Sequence, residues 1–266
     1  MNEISRNIAI VTEIENSVKY LRNGLAEIQK ITAANNFYDP PLIYLSGGFE
    51  RLFKSMLCLN FKEVNGRLPR TNEIWNRKNG HNIDFLKDKI EGICIPIDLP
   101  FAKDDYKIIT SDKTIKEICE VLTAYGSRAR YFNLDIILGN EQKFDAKNKW
   151  EKIEDSLLKE YYGEKKFYRM FKKTNSLEVI YEKTSELLVS KLEVFLRAIT
   201  RQFIFGNFSS ESNQYVFSIE SFTDIDDNQI GKTDYRQLQN HEFIKREPVI
   251  DSSLISIIKE KFRSLL

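Results

Sequence analysis

The fold class is decided by residues 42–56, which read LIYLSGGFERLFKSM. Apolar side chains recur in this stretch every three or four residues, at Leu42, Leu45, Phe49, Leu52, Phe53 and Met56. This spacing is that of an α-helix with one buried face. Glu50 and Lys54 lie off that face and are four residues apart, so they can form an ion pair on the helix surface.

The same spacing predicts helices on both sides of this stretch. Upstream, we expect one unbroken helix from about Ile8 to Ala33, because Asp39-Pro40-Pro41 breaks the pattern. Downstream, we expect a short helix capped by Thr71 or Asn72 and running through Trp75, a helix that opens at His81, and further helices over 114–125, 128–138, 146–162, 177–199 and 252–265. The prediction is an all-α protein, an antiparallel bundle with additional C-terminal helices and at most one short hairpin. The candidate strand is Tyr215–Ile219.

The composition agrees with a helical, globular chain. The 266 residues carry 40 Lys and Arg against 39 Asp and Glu, a formal charge of +1, which excludes a strongly basic nucleic-acid coat but leaves a local patch open. With 11 Gly and 6 Pro, chain breakers are few and long helices are favoured over a β-sandwich.

We divide the chain into residues 1–140 and a helical extension, residues 141–266. We favour one packed unit, with the Lys-rich stretch 165–173 as a loop rather than a boundary.

Several classes of protein are disfavoured. The three cysteines lie far apart without zinc-site spacing, so we expect inert buried thiols at Cys58, Cys94 and Cys119. Apolar runs are too short to span a bilayer, and we expect a cytoplasmic protein with no membrane association, no metal and no cofactor. Gly231-Lys232-Thr233 resembles the end of a phosphate-binding loop, but Asp226 stands where that motif needs glycine.

The candidates for chemistry begin with the histidines, of which the chain has only His81 and His241. Arg77 precedes His81 by four positions. A neutral imidazole can accept or donate a proton, and a nearby guanidinium can hold a phosphate through two hydrogen bonds. The competing interpretation is that His81 caps its helix and Arg77 is a solvated charge. A metal-dependent hydrolase is disfavoured because the two histidines are too far apart in sequence to form a local ligand set.

A second candidate is the stretch 125–133, which reads YGSRARYFN. Its arginines, Arg128 and Arg130, could grip phosphates while Tyr131 stacks on bases. The competing interpretation is that Tyr131 and Phe132 pack in the core and the arginines pair with carboxylates.

Three segments together carry a family resemblance: Leu45–Lys54, Asn65–Pro69 and Gly80–Leu86. In order and spacing they resemble the HEPN superfamily, a helical nucleotide-binding domain of higher eukaryotes and prokaryotes, over roughly residues 40–140. The resemblance implies an up-and-down bundle of four or five helices that commonly dimerises. Many members cleave RNA without a metal, using an Arg, four to six intervening residues and a His, with the paired motifs meeting across the dimer.

By that resemblance Arg77 and His81 are the catalytic residues. Residues expected to bind RNA or phosphate are Arg51, Lys54, Lys78, Arg128, Arg130 and Tyr131. Here three residues, not four to six, separate Arg77 from His81, and Lys78 stands where a smaller polar residue is usual. The resemblance implies a metal-independent endoribonuclease, as the effector of a bacterial defence or toxin–antitoxin system. The alternative is a non-catalytic homodimeric scaffold that binds a nucleotide or a protein partner such as an antitoxin.

Overall fold

The computed structural model describes residues 2–127, 129–141, 144–171 and 177–238, and eleven α-helices lie in these ranges. They are α1 Glu3–Ile28, α2 Asp39–Asn65, α3 Ile83–Ile93, α4 Pro100–Ser111, α5 Lys113–Ser127, α6 Phe132–Ile137, α7 Ala146–Tyr162, α8 Glu164–Phe171, α9 Leu177–Phe205, α10 Val216–Thr223 and α11 Tyr235–Leu238. Helix accounts for 75% of the described residues, and no strand is found among them. The all-α prediction is confirmed, whereas a HEPN-like bundle stays a prediction.

Helices α1 and α2 form an antiparallel pair at unusually close distance. Successive contacts run in opposite directions along the two helices, from Gly24 against Leu45 to Asn7, which accepts a hydrogen bond from Lys62 at 3.2 Å. A β-carbon on Gly24 would lie 2.7 Å from the Leu45 side chain, and one on Gly48 would lie 2.7 Å from that of Leu21. Both glycines therefore allow the helix backbones to approach closely.

Helix α9 contributes much of the buried core of residues 2–236. The side chains of Leu188, Leu192, Phe195, Leu196, Ile199 and Phe203 are completely buried. The ring of Phe195 packs 5.7 Å from Phe49 and 6.4 Å from Phe53, which joins α9 to the α1–α2 pair. One continuous core contains buried residues from Ile10 at one end of the sequence to Tyr235 at the other. Residues on both sides of position 140 therefore contribute to it. The division at residue 140 stays a prediction.

Three predicted elements are wrong. The Lys-rich stretch 165–173, predicted as a loop, is helical as far as Phe171, because α8 buries Phe167 on one face; residues 172 and 173 lie outside the described residues. Residues 66–82 form an irregular loop instead of a short helix at 71–75, since Asn72 has a φ of +68° and Glu73 is held by other residues of the loop. The predicted strand at Tyr215–Ile219 is the end of a 3-10 helix followed by α10. Ile219 and Phe222 are buried three residues apart while Phe217 is 85% exposed, which is a helical and not an alternating pattern.

Other predicted boundaries are shifted. Helix α1 begins and ends five residues before the predicted helix. Helix α4 was not predicted, although Pro100 at its first turn is a usual helix start. The predicted helices 146–162 and 177–199 correspond to α7 and to most of α9. The predicted helix 252–265 lies outside the described residues.

We expect Gly48→Ala to destabilise the protein by about 1–3 kcal/mol, as over-packed core substitutions do. The added methyl group would meet the Leu21 side chain and, at 3.1 Å, the Leu21 backbone nitrogen, which cannot rotate away. The matched control is Gly92→Ala in α3, where no neighbouring atom lies within 4 Å of the added β-carbon. There the helix-favouring alanine should stabilise the protein by about 0.5–1 kcal/mol. Urea denaturation checks both. Equal effects of the two substitutions would contradict the close packing.

Glu154 of α7 is a buried carboxylate that ties the start of α2 to α7. It accepts hydrogen bonds from the Tyr38 hydroxyl at 2.9 Å and the Trp150 indole nitrogen at 3.0 Å. Burial raises its pKa to about 7, against the opposing effect of these two hydrogen bonds. The folded protein therefore holds a proton that the unfolded chain releases at lower pH.

This raised pKa predicts a specific pH dependence. Because the folded-state pKa lies above the unfolded one, the free energy of unfolding contributed by Glu154 falls as the pH rises towards 7, by about 3 kcal/mol in total. Glu154→Gln carries no charge at any pH. We expect its stability relative to the parent chain to grow by that amount between pH 4.5 and pH 8 in urea titrations. A difference that is constant with pH would contradict the shift.

Candidate nucleic-acid interface

One cleft of about 890 Å³ gathers most of the residues singled out from the sequence. It is bounded by α1, by α2, by the loop 66–82 and by the end of α5 with the residues that follow it. Its lining includes Arg51, Lys54, Arg77, Lys78, His81 and Arg130. These six come from three separate parts of the chain, so only the folded structure brings them together.

Glu50 is the centre of the hydrogen bonding in this cleft. One carboxylate oxygen accepts from the Lys54 ammonium at 2.7 Å, which confirms the predicted i,i+4 pair. The other oxygen lies 3.1 Å from Nδ1 of His81. A neutral imidazole that donates from Nδ1 keeps Nε2 unprotonated and able to accept a proton. Glu50 therefore selects the tautomer that a general base requires.

Arg51 is held against the α1 side of the cleft. Its guanidinium pairs with the Glu13 carboxylate and lies 5.2 Å from the centre of the Tyr20 ring. That ring packs on Gly47, where a β-carbon would be 3.0 Å away. Arg51 and Lys54 were both predicted to bind phosphate, and each already has a carboxylate partner.

The loop 66–82 carries Arg77, Lys78 and His81 on an ordered framework. Gly80 donates a backbone hydrogen bond to the Asn76 carbonyl at 2.8 Å, and the Asn76 side chain accepts from the Lys78 backbone at 2.9 Å. Helix α3 begins after His81, and its cap is Asn82, which accepts from the Phe85 backbone at 2.8 Å. The predictions that His81 opens or caps this helix are therefore wrong. His81 is left 66% exposed in the cleft.

The second sequence candidate is only partly in the cleft. Arg130 lines it, but the residues that follow turn away from the core into the short helix α6. Tyr131 does not line the cleft; its half-exposed ring lies 4.9 Å from the Arg130 guanidinium. The competing prediction, that Tyr131 packs in the core, is therefore wrong. Arg128 lies outside the described residues.

The charge in the cleft is positive and unevenly compensated. Five cationic side chains face two carboxylates, Glu13 and Glu50, an excess of three positive charges when His81 is left out of the count. Within the described ranges no carboxylate pairs with Arg77, Lys78 or Arg130. The charges of these three exposed cations make this side of the cleft attractive to anions.

Sequence reasoning missed two residues of the cleft. The sequence predicts Glu50 only as a partner of Lys54, because a hydrogen bond to His81, 31 residues away, has no local signal. The sequence predicts Trp75 only as part of a helix, whereas its half-buried ring lines the cleft and lies 5.2 Å from the Lys54 ammonium. The presence of a tryptophan between Arg70 and Arg77 was the one available hint.

The remaining motifs have structural explanations. Burial raises the pKa of the Cys58 thiol to about 11 and those of Cys94 and Cys119 to about 12, so all three are protonated at neutral pH. Gly231 has a φ of +76° and donates its backbone N–H to the buried Glu193 at 2.5 Å, so this amide is not available to a phosphate. No cluster of three or more potential metal ligands occurs among the described residues. No helix in that part of the chain is long and apolar enough to cross a bilayer.

Comparison with protein-family models, with curated proteins and with solved structures gives no match to this chain. The resemblance to the HEPN superfamily therefore rests on the three sequence segments quoted above.

Proposed function

We propose that this chain is a metal-independent endoribonuclease whose active site is the cleft between α1, α2 and the loop 66–82. The observation that supports it is the Glu50–His81 hydrogen bond in a cleft with three uncompensated cations. A general base, its orienting carboxylate and phosphate-binding cations are the groups that RNA cleavage needs in the absence of a metal ion.

In the proposed reaction Nε2 of His81 takes the proton from a ribose 2′-hydroxyl. The 2′ oxygen forms a bond to the adjacent phosphorus, and the bond from phosphorus to the 5′ oxygen of the next nucleotide breaks. That oxygen leaves with a proton from solvent, and the imidazolium returns its proton to solvent. The products are a 2′,3′-cyclic phosphate and a 5′-hydroxyl.

Glu50 and Arg77 have distinct roles in this scheme. The Glu50 carboxylate orients the imidazole and stabilises the imidazolium that forms, as an acidic partner does for a histidine base. The planar Arg77 guanidinium can bind two oxygens of the phosphorane transition state. Lys78 and Arg130 supply further positive charge for the neighbouring phosphates of the strand.

We expect His81→Ala to abolish cleavage of a mixed-sequence RNA and Arg77→Ala to lower the rate by about 100-fold or more. Arg77→Lys should recover only part of that loss, because an ammonium cannot form the planar double hydrogen bond. Glu50→Gln should also slow the reaction and change its pH profile, since the orienting charge is lost. All rates are measured with a chelator present.

The matched control is Lys107→Ala, which removes an exposed cation of α4 that does not line the cleft. It should leave the rate unchanged. Each variant should keep the far-UV circular dichroism of the parent chain. The proposal is wrong if the parent chain does not cleave RNA in chelator, or if His81→Ala cleaves at the parent rate.

The second candidate function is a non-catalytic, homodimeric binding scaffold. It is favoured by the short gap between Arg77 and His81 and by the apolar surface of α6. The side chains of Leu134, Ile136, Ile137 and Leu138 are 51–77% exposed there. Exposed apolar groups so close together are typical of an interaction surface.

Both candidates predict a homodimer, with α6 as the proposed contact. Light scattering at micromolar concentration should give about twice the chain mass of 31.2 kDa. Ile137→Asp should yield monomers because it buries a charge in the contact, whereas Ile8→Asp, at a similarly exposed position of α1, should not. A monomeric parent chain would contradict the dimer, and a dimeric Ile137→Asp variant would exclude α6 as the contact.

A further inference from the structure

A second cavity of about 420 Å³ adjoins the cleft on the side of the loop 66–82. The residues that line both cavities are Lys54, Cys58, Trp75, Arg77 and His81. The proposed catalytic pair therefore stands at the boundary between a cationic cleft and a second space. A volume of this size is within the range of small-molecule binding sites.

The walls of the second cavity differ from those of the cleft. Trp75, Ile74 and Pro69 give it a partly apolar surface, while Arg70 and Asn72 add polar groups. The side chains of these last two form no hydrogen bond to the described residues. A flat aromatic surface beside unused donors and acceptors suits a planar heterocycle with a polar edge.

The position of Trp75 is fixed by the loop itself. Glu73 accepts two hydrogen bonds from the Arg67 guanidinium, at 2.7 and 2.8 Å, and one from the Arg70 backbone at 2.6 Å. On the other side, Gly80 packs so closely that a β-carbon would lie 3.1 Å from Cδ1 of the Trp75 ring. The indole is thus held before any ligand binds, which lowers the entropy lost on binding.

We infer that this second cavity binds an unpaired nucleobase of the strand whose phosphates occupy the cleft. The base stacks on Trp75, and Arg70 and Asn72 provide hydrogen bonds to its edge. The inference rests on the proposed function, since it takes the adjoining cleft to hold phosphates. Because a base within a duplex is stacked on its neighbours, the site selects single-stranded nucleic acid.

Tryptophan fluorescence gives a direct test, because the chain has only two tryptophans and Trp150 is 1% exposed. The first probe is pentadeoxyadenylate, which has no 2′-hydroxyl and cannot be cleaved. The second is an oligomer of the same length whose sugars carry no bases. We expect the first probe to quench the fluorescence of the parent chain and the second to leave it unchanged.

Two variants separate stacking from folding. In Trp75→Phe the remaining fluorescence comes from Trp150 and should not respond to either probe. Its affinity for labelled pentadeoxyadenylate, measured by fluorescence anisotropy, should stay within about threefold of the parent value because phenylalanine also stacks. Trp75→Leu should weaken that affinity about tenfold or more. The matched control is Tyr168→Leu, which removes an exposed ring of α8 outside both cavities and should bind as the parent does.

The base site is wrong if the base-free oligomer quenches equally, if neither probe binds, or if Trp75→Leu keeps the parent affinity. Failure of the proposed function is a different result. RNA left intact by the parent chain, together with base-dependent quenching through Trp75, contradicts the nuclease and supports the base site. Cleavage that requires His81, together with unchanged affinity in Trp75→Leu, supports the nuclease and contradicts the base site.

Discussion

The close approach of α1 to α2 is the constraint on which the rest of the molecule depends. Gly24 and Gly48 remove the side chains that would hold the two helices apart, and Leu45 and Leu21 occupy the space. The same approach sets the floor of the cleft, because Tyr20 of α1 packs on Gly47 of α2. Arg51, one turn further along, then lies beside the Tyr20 ring and pairs with Glu13. Both the packing and the placement of charge therefore depend on glycines in this helix pair, Gly24 and Gly48 for the packing and Gly47 for the position of Tyr20.

The polar centre of the cleft is built from one helix and one loop. Glu50 is fixed by α2, and it holds both Lys54 from its own helix and His81 from the end of the loop 66–82. The carboxylate reduces the positive charge of the cleft, which weakens the attraction for an anion. In the proposed reaction the same charge stabilises the protonated imidazole. The cations that stay uncompensated, Arg77 and Lys78 among them, belong to the loop and to the residues after α5.

The loop 66–82 contributes residues to both proposed sites, the cleft and the second cavity. It supplies Arg77 and His81 to the cleft, and its Trp75 lies at the boundary between the cleft and the second cavity. Its conformation depends on its own polar contacts, those of Glu73 with Arg67 and of Asn76 with Gly80. A loop fixed in this way can place a phosphate-binding group and a base-stacking group at a constant separation, which is what recognition of one nucleotide requires.

The sequence by itself determined the helices whose apolar residues recur every three or four positions. Helices α1, α2, α7 and α9 follow from that pattern because each buries one continuous face, and the i,i+4 pair of Glu50 and Lys54 follows from helix geometry alone. Sequence also selected Arg77, Lys78, His81 and Arg130 as functional candidates, and all four line the cleft.

Only the tertiary structure decided the conformation of segments whose local sequence preference is weak or favours a different secondary structure. The residues at 71–75 have a helix-capping pattern, but side-chain contacts of Glu73 keep them in a loop. Tyr215–Ile219 is rich in residues that favour strands, yet burial of Ile219 and Phe222 against the core makes it helical. The hydrogen bond between Glu50 and His81 joins residues 31 positions apart, and no periodic pattern encodes such a distance. Periodicity reports which face of a helix is buried, whereas the meeting of distant side chains depends on how the helices pack.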